Sequence, residues 1–207
     1  MHTTALCYDA CMICIGIDEA GRGALAGPVS VGVVLLKKDI AWADVPGLKD
    51  SKKLSAKKRD EWFAWIVAHA DIAWAVGFSS AEIIDTDGIV PACNGAATRA
   101  AHRVALPSVP ILLDAGLKVL PYEAWDQSAI VRGDETEVAI ALASIVAKVS
   151  RDRLMIELSK AHPSYGFEIH KGYGTQIHRD RIAKLGREPG VHRVSFTRSL
   201  TKPRARS

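Results

Sequence analysis

Carboxylates stand beside apolar segments at three places in this chain, and their types and spacing suit metal chemistry. Asp18 and Glu19 are adjacent in the run Gly16–Gly23, Gly-Ile-Asp-Glu-Ala-Gly-Arg-Gly, directly after a short apolar segment. Asp114 ends a second apolar segment, and Asp134 follows a third. Clustered carboxylates are costly to bury and raise one another's pKa unless a cation neutralises them. All-oxygen ligands favour Mg²⁺ or Mn²⁺ over zinc, and two such ions about 3.5–4 Å apart suit in-line phosphoryl displacement.

Each of these acids also has a purely structural explanation. Asp134 and Glu137 have the spacing of a capping box, which would simply start a helix. Asp114 precedes Ala-Gly and suits a turn. Glu19 follows Asp18 on a strand, where neighbouring side chains point to opposite faces. Glu19 therefore joins Asp18 only if the strand bends or ends there, which the nearby glycines permit.

Short apolar runs between turn residues predict the strands that must position the acids. Three strands in series, followed by strands that alternate with helices, indicate a mixed sheet with helices on its faces. In open α/β sheets the functional crevice lies beyond strand ends, where these acids can converge. The predicted strands are Met12–Ile15, Pro28–Leu36, Ile72–Phe78, Pro110–Asp114 and Ser128–Arg132.

Helical periodicity and capping residues predict the helices between and after these strands. Ser55 is expected to cap the first helix, which ends near His69. The other predicted helices are Ala81–Asp87, Val90–Leu106, Glu135–Ala161 and Thr175–Leu185.

The bulk composition restricts the class of protein. A chain of 207 residues with 48% hydrophobic residues fits a single domain with one sizeable core. Every apolar run is interrupted before about 18 residues, so no membrane span is expected. No secretory signal is evident, which predicts a cytoplasmic protein. Cys7, Cys11 and Cys14 lack a nearby fourth ligand, so free thiols in a reducing compartment are expected rather than a zinc site.

The formal net charge of +4 is carried by the C-terminal tail, because residues 198–207 hold four basic residues and no acid. Such a tail suits a polyanionic partner, or is a solvated disordered end. We expect one domain over residues 12–197, with 1–11 and 198–207 as flexible tails. Met12, at the start of the first strand, is a candidate start codon as an alternative to Met1.

Six motifs occur in the order expected of ribonuclease HII, and the chain resembles that family over about residues 12–197. Each motif alone is short, but the six motifs together in this order are specific. The motifs lie at Gly16–Gly23, Asp50–Leu54, Leu113–Ala115, Gly133–Asp134, Ala143–Lys148 and His170–Gly174.

The resemblance implies a ribonuclease H-like α/β fold, a five-stranded mixed sheet flanked by helices, with a helical C-terminal extension. The family's four catalytic acids fall on Asp18, Glu19, Asp114 and Asp134, which would hold two Mn²⁺ or Mg²⁺ ions. The implied activity is endonucleolytic cleavage of RNA in RNA–DNA hybrids, and 5′ of single ribonucleotides embedded in duplex DNA. It leaves 3′-hydroxyl and 5′-phosphate ends and removes misincorporated ribonucleotides.

The resemblance also assigns the substrate-sensing residues. The backbone of Gly21, Arg22 and Gly23 would sense the 2′-hydroxyl, which distinguishes RNA from DNA. Tyr173 falls on the family's junction-sensing tyrosine and would pack on the deoxyribose that follows the ribonucleotide. Without the resemblance, Tyr173 would be taken for a core or surface aromatic in a turn.

Basic and hydroxyl side chains are expected to hold phosphates without reading bases. Lys52 and Lys53 lie in a polar loop, and Ser144, Lys148 and Arg151 share one face of the long predicted helix. A solvated helix face is the alternative for that helix.

Two competing functions remain open from the sequence. One is another two-metal nuclease of the same fold, which would not need the Gly-Arg-Gly run and Tyr173. The other is a catalytically silent nucleic-acid-binding module. We expect a monomer that binds RNA–DNA hybrid and ribonucleotide-containing duplex DNA, with no membrane partner and no evident clamp-binding peptide.

Overall fold

Apolar and β-branched residues build one mixed sheet in the computed structural model, which describes residues 13–48, 54–104, 106, 108–114 and 116–200. Lys52 and Lys53, the proposed start at Met12 and most of both predicted tails lie outside the described residues. The strands are β1 Cys14–Ala20, β2 Val29–Leu36, β3 Ile72–Ser79, β4 Ile111–Asp114 and β5 Gln127–Ile130.

The strand order is β3-β2-β1-β4-β5. β1 and β3 both pair antiparallel with β2, whereas β4 lies parallel to β1 and β5 lies parallel to β4. The predicted five-stranded mixed sheet is therefore confirmed, and β1 and β4 stand side by side at its centre.

The first strand is longer than predicted, since it runs to Ala20 rather than ending at Ile15. Antiparallel pairing with β2 continues to the pair Ala20–Ser30, and this pairing extends the strand. Parallel pairing with β4 stops at Ile17–Leu113. Asp18 and Glu19 thus lie inside β1, in a part of the strand that has a neighbour on one side only.

Helices cover both faces of the sheet, and none in the described ranges is long and apolar enough to cross a membrane. Short 3₁₀ turns in the described ranges include Tyr122–Ala124 and Arg198–Leu200. The α-helices of the described residues are α1 Ala56–Ala68, α2 Ala81–Asp87, α3 Ile89–Val104, α4 Gly133–Thr136, α5 Val138–Ala161, α6 Phe167–His170, α7 Gln176–Leu185 and α8 Val194–Thr197.

Side-chain caps fix several helix starts where the sequence predicted them. The side chain of Ser55 accepts a hydrogen bond from the Lys58 backbone N–H, and that of Thr175 accepts one from His178. Caps of this kind stabilise a helix by about 1 kcal/mol. The predicted starts of α1 and α7 are therefore confirmed.

The predicted helix Glu135–Ala161 is wrong at its start. Glu137 is extended, with φ −118° and ψ 119°, and it separates the short α4 from α5. Its side chain makes no capping bond, and Arg132, not Asp134, precedes the first turn of α4. The capping-box explanation of Asp134 is therefore not supported, because no box forms.

Two apolar layers enclose the sheet, because β2 is buried on both faces. Val31 and Val33 face α3, whereas Val34 and Leu36 face α1 and α5. A third cluster joins α5 to the C-terminal helices through Met155, Phe167 and other residues, and it forms the predicted helical extension.

Glycines let the helices approach the sheet unusually closely. A Cβ on Gly32 would lie 2.2 Å from the Ala143 carbonyl oxygen of α5, and a Cβ on Gly77 would lie 2.1 Å from that of Ala96 in α3. At both positions the added Cβ would meet the backbone of a helix, which cannot move aside unless the whole helix shifts.

We expect Gly77→Ala to destabilise the protein by about 1–3 kcal/mol, because overpacking forces backbone shifts. Gly95→Ala is the matched control in α3, where the added Cβ would meet only the flexible end of Arg99 at 3.3 Å. That substitution should be neutral or stabilise by up to about 1 kcal/mol. Urea unfolding of both variants measures the difference, and equal midpoints would contradict it.

Candidate active site

Three of the predicted acids meet where β1 passes the end of β4. One carboxylate oxygen each from Asp18, Glu19 and Asp114 lies within 4.8 Å of the other two. Parallel pairing of Ile17 with Leu113 places the following residues of both strands at the same sheet edge. The convergence expected of four acids that follow strand ends is therefore observed for three of them.

Asp18 is the most deeply buried member of this carboxylate cluster, with 5% of its surface exposed. Its Oδ1 accepts a hydrogen bond of 2.7 Å from the Glu19 backbone N–H. Burial, followed by the charges of Glu19 and Asp114, raises the pKa of Asp18 to about 8, although a hydrogen bond from the Ser144 side chain opposes this. A cation beside Asp18 would relieve this cost.

Glu19 is shared between an arginine and the cluster. Its Oε1 accepts a hydrogen bond of 3.0 Å from Arg22 Nη1, whereas the buried Oε2 has no hydrogen-bond partner among the described residues. Burial raises the pKa of Glu19, and Arg22 partly offsets this. One expectation was that the strand ends at Glu19, but β1 continues to Ala20. The Glu19 carboxylate nevertheless has an oxygen within 4.8 Å of one from Asp18.

Asp114 and Asp134 are linked through the start of α4. Asp114 Oδ1 accepts a hydrogen bond of 3.0 Å from the Gly133 backbone N–H. Asp134 follows in α4 with 1% of its surface exposed, but it is not one of the three acids that share the 4.8 Å cluster. Asp134 thus directly follows the residue whose backbone binds Asp114, and it lies outside the cluster.

The cluster opens into a cleft of about 390 Å³, which collects most of the other predicted residues. Gly21 has a φ of +88°, a left-handed conformation that favours glycine. A Cβ on Gly23 would meet no atom within 4 Å. The cleft is lined by Asp18, Glu19, Ala20, Gly21, Arg22, Gly23, Arg59, Asp114, Ser144, Ile145, Lys148 and Tyr173.

Sequence reasoning missed Arg59, which lines the cleft from the first turn of α1. Its Nη1 donates a hydrogen bond to the Leu54 carbonyl, which holds the side chain toward the cleft. The signal was the basic run Lys57-Lys58-Arg59, three consecutive cations at a helix start. Of these, only the third is among the lining residues.

Lys148 and Arg151 differ from the expectation that they share a phosphate-facing surface. Lys148 lines the cleft, pairs with Asp152 at 2.8 Å and lies 5.2 Å from the centroid of the Tyr173 ring. Arg151 is fully buried and donates hydrogen bonds only to backbone carbonyls. Neither the phosphate role nor the solvated helix face considered for Arg151 is therefore correct, because α5 places this residue inside the protein.

The buried, uncompensated oxygen of Glu19 and the all-oxygen donor set fit one or more hard divalent cations. Combined with the strand order and with helices on both faces, this site defines a ribonuclease H-like, metal-dependent nuclease domain. Glycines and basic side chains around the same cleft suit a nucleic-acid backbone.

Comparison with known proteins identifies the family within that class. The model of the family Ribonuclease HII matches residues 15–199. Ribonuclease HII of Brucella ovis is 47% identical over 182 residues, which are 87% of this chain and 80% of that protein. The chain therefore belongs to the ribonuclease HII family. It is an endoribonuclease that cleaves RNA in RNA–DNA hybrids and single ribonucleotides embedded in DNA.

Solved structures support the same fold. The ribonuclease of the PCNA:RNase HII complex from Archaeoglobus fulgidus is 25% identical with a TM-score of 0.74, and the match covers 91% of this chain and 97% of that chain. Bst-RNase HIII in complex with Mn²⁺ is 20% identical with a TM-score of 0.69, over 91% of this chain and 69% of that one. Family membership favours the ribonuclease over the two competing functions.

We expect Mn²⁺ binding to release a proton and to strengthen as the pH rises. Because the pKa of Asp18 is about 8 without a cation, most molecules must lose that proton when an ion binds at pH 7. The apparent affinity should rise by up to about tenfold per pH unit between pH 6 and 8, then level off. Calorimetry in buffers of different ionisation enthalpy measures the protons released, and a flat pH profile would contradict the prediction.

The same shift makes metal-free stability depend on pH. The folded state holds the Asp18 proton up to about pH 8, whereas the unfolded state loses it near pH 4. Folding therefore takes up a proton between these values, and the free energy of unfolding should fall as the pH rises through this window. Asp18→Asn should remove this contribution, so that the variant gains stability over the native chain as the pH rises in EDTA. Parallel pH profiles would refute this sign.

Proposed function

We propose that this chain binds two divalent ions, Mn²⁺ or Mg²⁺, through Asp18, Glu19, Asp114 and Asp134, and hydrolyses the phosphodiester on the 5′ side of a ribonucleotide. The observation that carries this proposal is the buried Glu19 oxygen, which lies beside two other carboxylates and has no hydrogen-bond partner in the described part of the chain. Ions there would lower the pKa of an attacking water and stabilise the leaving oxygen.

Water attacks the phosphorus, and the bond to the 3′-oxygen of the preceding nucleotide breaks. The products are a 3′-hydroxyl on that nucleotide and a 5′-phosphate on the ribonucleotide. Asp18 suits the role of the carboxylate shared by both ions, because it is the most buried member of the cluster and contacts Ser144. Asp134 would complete the shell from α4 when ions draw the acids together.

Ribose recognition falls to the Gly21–Gly23 turn. Without a Cβ on Gly23 the cleft stays open there, so backbone N–H and C=O groups can approach a 2′-hydroxyl. Tyr173 lines the same cleft, and we assign it to the deoxyribose that follows the ribonucleotide. Together they would recognise a junction from RNA to DNA rather than a base sequence.

Phosphate contacts come from side chains that line the cleft and reach solvent. Lys148, Ser144 and Arg59 are the candidates among the described residues. Lys52 and Lys53 stay candidates from the sequence alone. We propose that the domain spans residues 12–197 and acts as a monomer on duplex substrates.

Cleavage of an end-labelled duplex that contains one ribonucleotide tests the function. We expect a single cut 5′ of the ribonucleotide with Mg²⁺ or Mn²⁺, no cut with EDTA and none in an all-DNA duplex. Asp18→Asn should lower kcat by about 10³-fold or more, because the ions lose the shared ligand, while duplex binding changes little.

Asp60→Asn is the matched control for the loss of one negative charge. Its exposed carboxylate pairs with Arg153 at 2.8 Å and is not part of the carboxylate cluster. Its activity should equal that of the native chain. Full activity of Asp18→Asn would remove the proposed metal site, and cutting of all-DNA duplex at equal rate would remove the ribose specificity.

A methyl group at residue 23 tests the ribose-sensing turn. Because a Cβ there meets no atom within 4 Å, Gly23→Ala should fold normally. The methyl group would project where the ribose must approach, so we expect kcat/KM to fall by about tenfold or more, since such displacements are costly. Thermal unfolding and steady-state kinetics measure both effects. Native kinetics in this variant would place the ribose elsewhere.

A further inference from the structure

Two buried arginines lie behind the Gly21–Gly23 turn, and neither has a carboxylate partner among the described residues. Arg151 of α5 and Arg193, which directly precedes α8, are both 0% exposed. Within the described residues, neither forms a salt bridge, although several exposed arginines and lysines do. Burying an unpaired cation is costly unless hydrogen bonds satisfy it. The bonds that each guanidinium makes therefore indicate why it is there.

Arg151 joins two segments that are distant in sequence. Its Nε donates to the Pro28 carbonyl at 2.8 Å and its Nη2 to that of Ala26 at 3.1 Å, both in the segment after the Gly21–Gly23 turn. Its Nη1 donates to the Lys171 carbonyl at 2.8 Å. The guanidinium also lies 5.2 Å from the centroid of the Tyr173 ring. One side chain thus joins residues 26–28, just after the Gly21–Gly23 turn, to the segment that carries Tyr173.

Among the described residues, Arg193 binds only the first of these segments, and its buried Nη2 has no hydrogen-bond partner there. Its Nη1 donates to the carbonyl of Arg22, the central residue of the turn, at 2.9 Å, and its Nε donates to that of Gly27 at 3.0 Å. Its backbone N–H donates to the Leu25 carbonyl at 2.9 Å. The Arg22 carbonyl of the Gly21–Gly23 turn is therefore held directly by the buried Arg193 guanidinium.

Packing shows that the turn is built around Arg151. A Cβ at Gly21 would lie only 1.9 Å from Arg151 Nε, so the backbone of the turn rests against the guanidinium. The two segments also touch each other, since the Leu25 backbone N–H donates to the Gly172 carbonyl at 2.8 Å. Gly21 is thus constrained from behind by an arginine as well as by its own left-handed conformation.

Electrostatics show what this arrangement costs. Burial and the nearby charge of Arg151 lower the pKa of Arg193 to about 10, and burial also lowers the pKa of Arg151. An apolar side chain would fill the same space without that cost. Only a planar guanidinium offers several donors in a rigid fork, and hence can fix several carbonyls at once.

We propose that Arg151 and Arg193 are positioning residues that fix the ribose-sensing turn and Tyr173 relative to each other, and so determine the preference for a ribonucleotide followed by a deoxynucleotide. This inference rests on the proposed function of that turn and of Tyr173. Arg193 acts on the turn alone, and therefore on every substrate that carries a 2′-hydroxyl. Arg151 links the turn to Tyr173, and therefore acts mainly at an RNA–DNA junction.

Two substrates separate these roles: a duplex with one embedded ribonucleotide, and a uniform RNA–DNA hybrid. Arg151→Met should lower kcat/KM for the single-ribonucleotide duplex about tenfold more than for the hybrid, because small displacements at a remote position cost such factors. Arg193→Lys should lower kcat/KM for both substrates by similar factors. Arg151→Lys, which keeps the charge and some donors, should recover part of the preference.

Arg99→Met is the matched control. Arg99 donates hydrogen bonds to the Phe78 carbonyl and the Ser79 hydroxyl at the end of β3, and it is not among the cleft residues. Its loss should change stability without changing the ratio of kcat/KM between the two substrates. A purely structural role for Arg151 would look the same, with a lower melting temperature and an unchanged ratio.

An unchanged ratio in folded Arg151→Met would overturn the proposal. If that variant does not fold, Arg151→Lys decides: an altered ratio supports the proposal and a native ratio overturns it. The segment around Tyr173 keeps other anchors in these variants. The Tyr173 backbone N–H donates to the His170 carbonyl, and the Tyr173 carbonyl oxygen lies 2.9 Å from His178 Nδ1. A native chain that cuts neither substrate would instead refute the proposed function itself.

Discussion

Like charges buried side by side are the constraint on which the rest of this structure depends. Asp18, Glu19 and Asp114 gather within 4.8 Å, and burial raises the pKa of the first two. A protein can hold such a cluster only on rigid supports. The two central parallel strands provide them, and the amide of Gly133 and the guanidinium of Arg22 each bind one carboxylate from the side.

The packing of the apolar core also positions the residues of the active site. α5 lies almost against the sheet because Gly16 and Gly32 have no side chains, and a Cβ on either would fall within 2.3 Å of its backbone. This close approach places Ser144 beside Asp18. It also lets the Ser30 hydroxyl donate to the Ala147 carbonyl at 2.8 Å. A side chain at either glycine would push the helix outward and move the polar residues it carries.

The sequence predicted the structure correctly where a residue type has one main chemical or structural role. Adjacent acids in a glycine-rich run predicted the cluster, and serine before a helical pattern predicted the start of α1. The break at Glu137 and the full length of β1 were missed, because strand pairing and local backbone geometry decide them and neither leaves a periodic signal. Arg151 was misassigned for a related reason: spacing gives the face of a helix, but not what covers it.

Arg151 and Arg193 do not pair with the clustered acids, and this separation leaves carboxylate oxygens available for a cation. Pairing each carboxylate with a guanidinium would satisfy both electrostatically and would leave no oxygen for a cation. Arg22 bonds only one oxygen of Glu19, and the other stays without a hydrogen-bond partner among the described residues. Arg151 and Arg193 instead donate to backbone carbonyls, which leaves the acids unused, although the buried Nη2 of Arg193 has no hydrogen-bond partner among the described residues. The acids thus stay available for metal, while the cations shape the backbone that must meet the ribose.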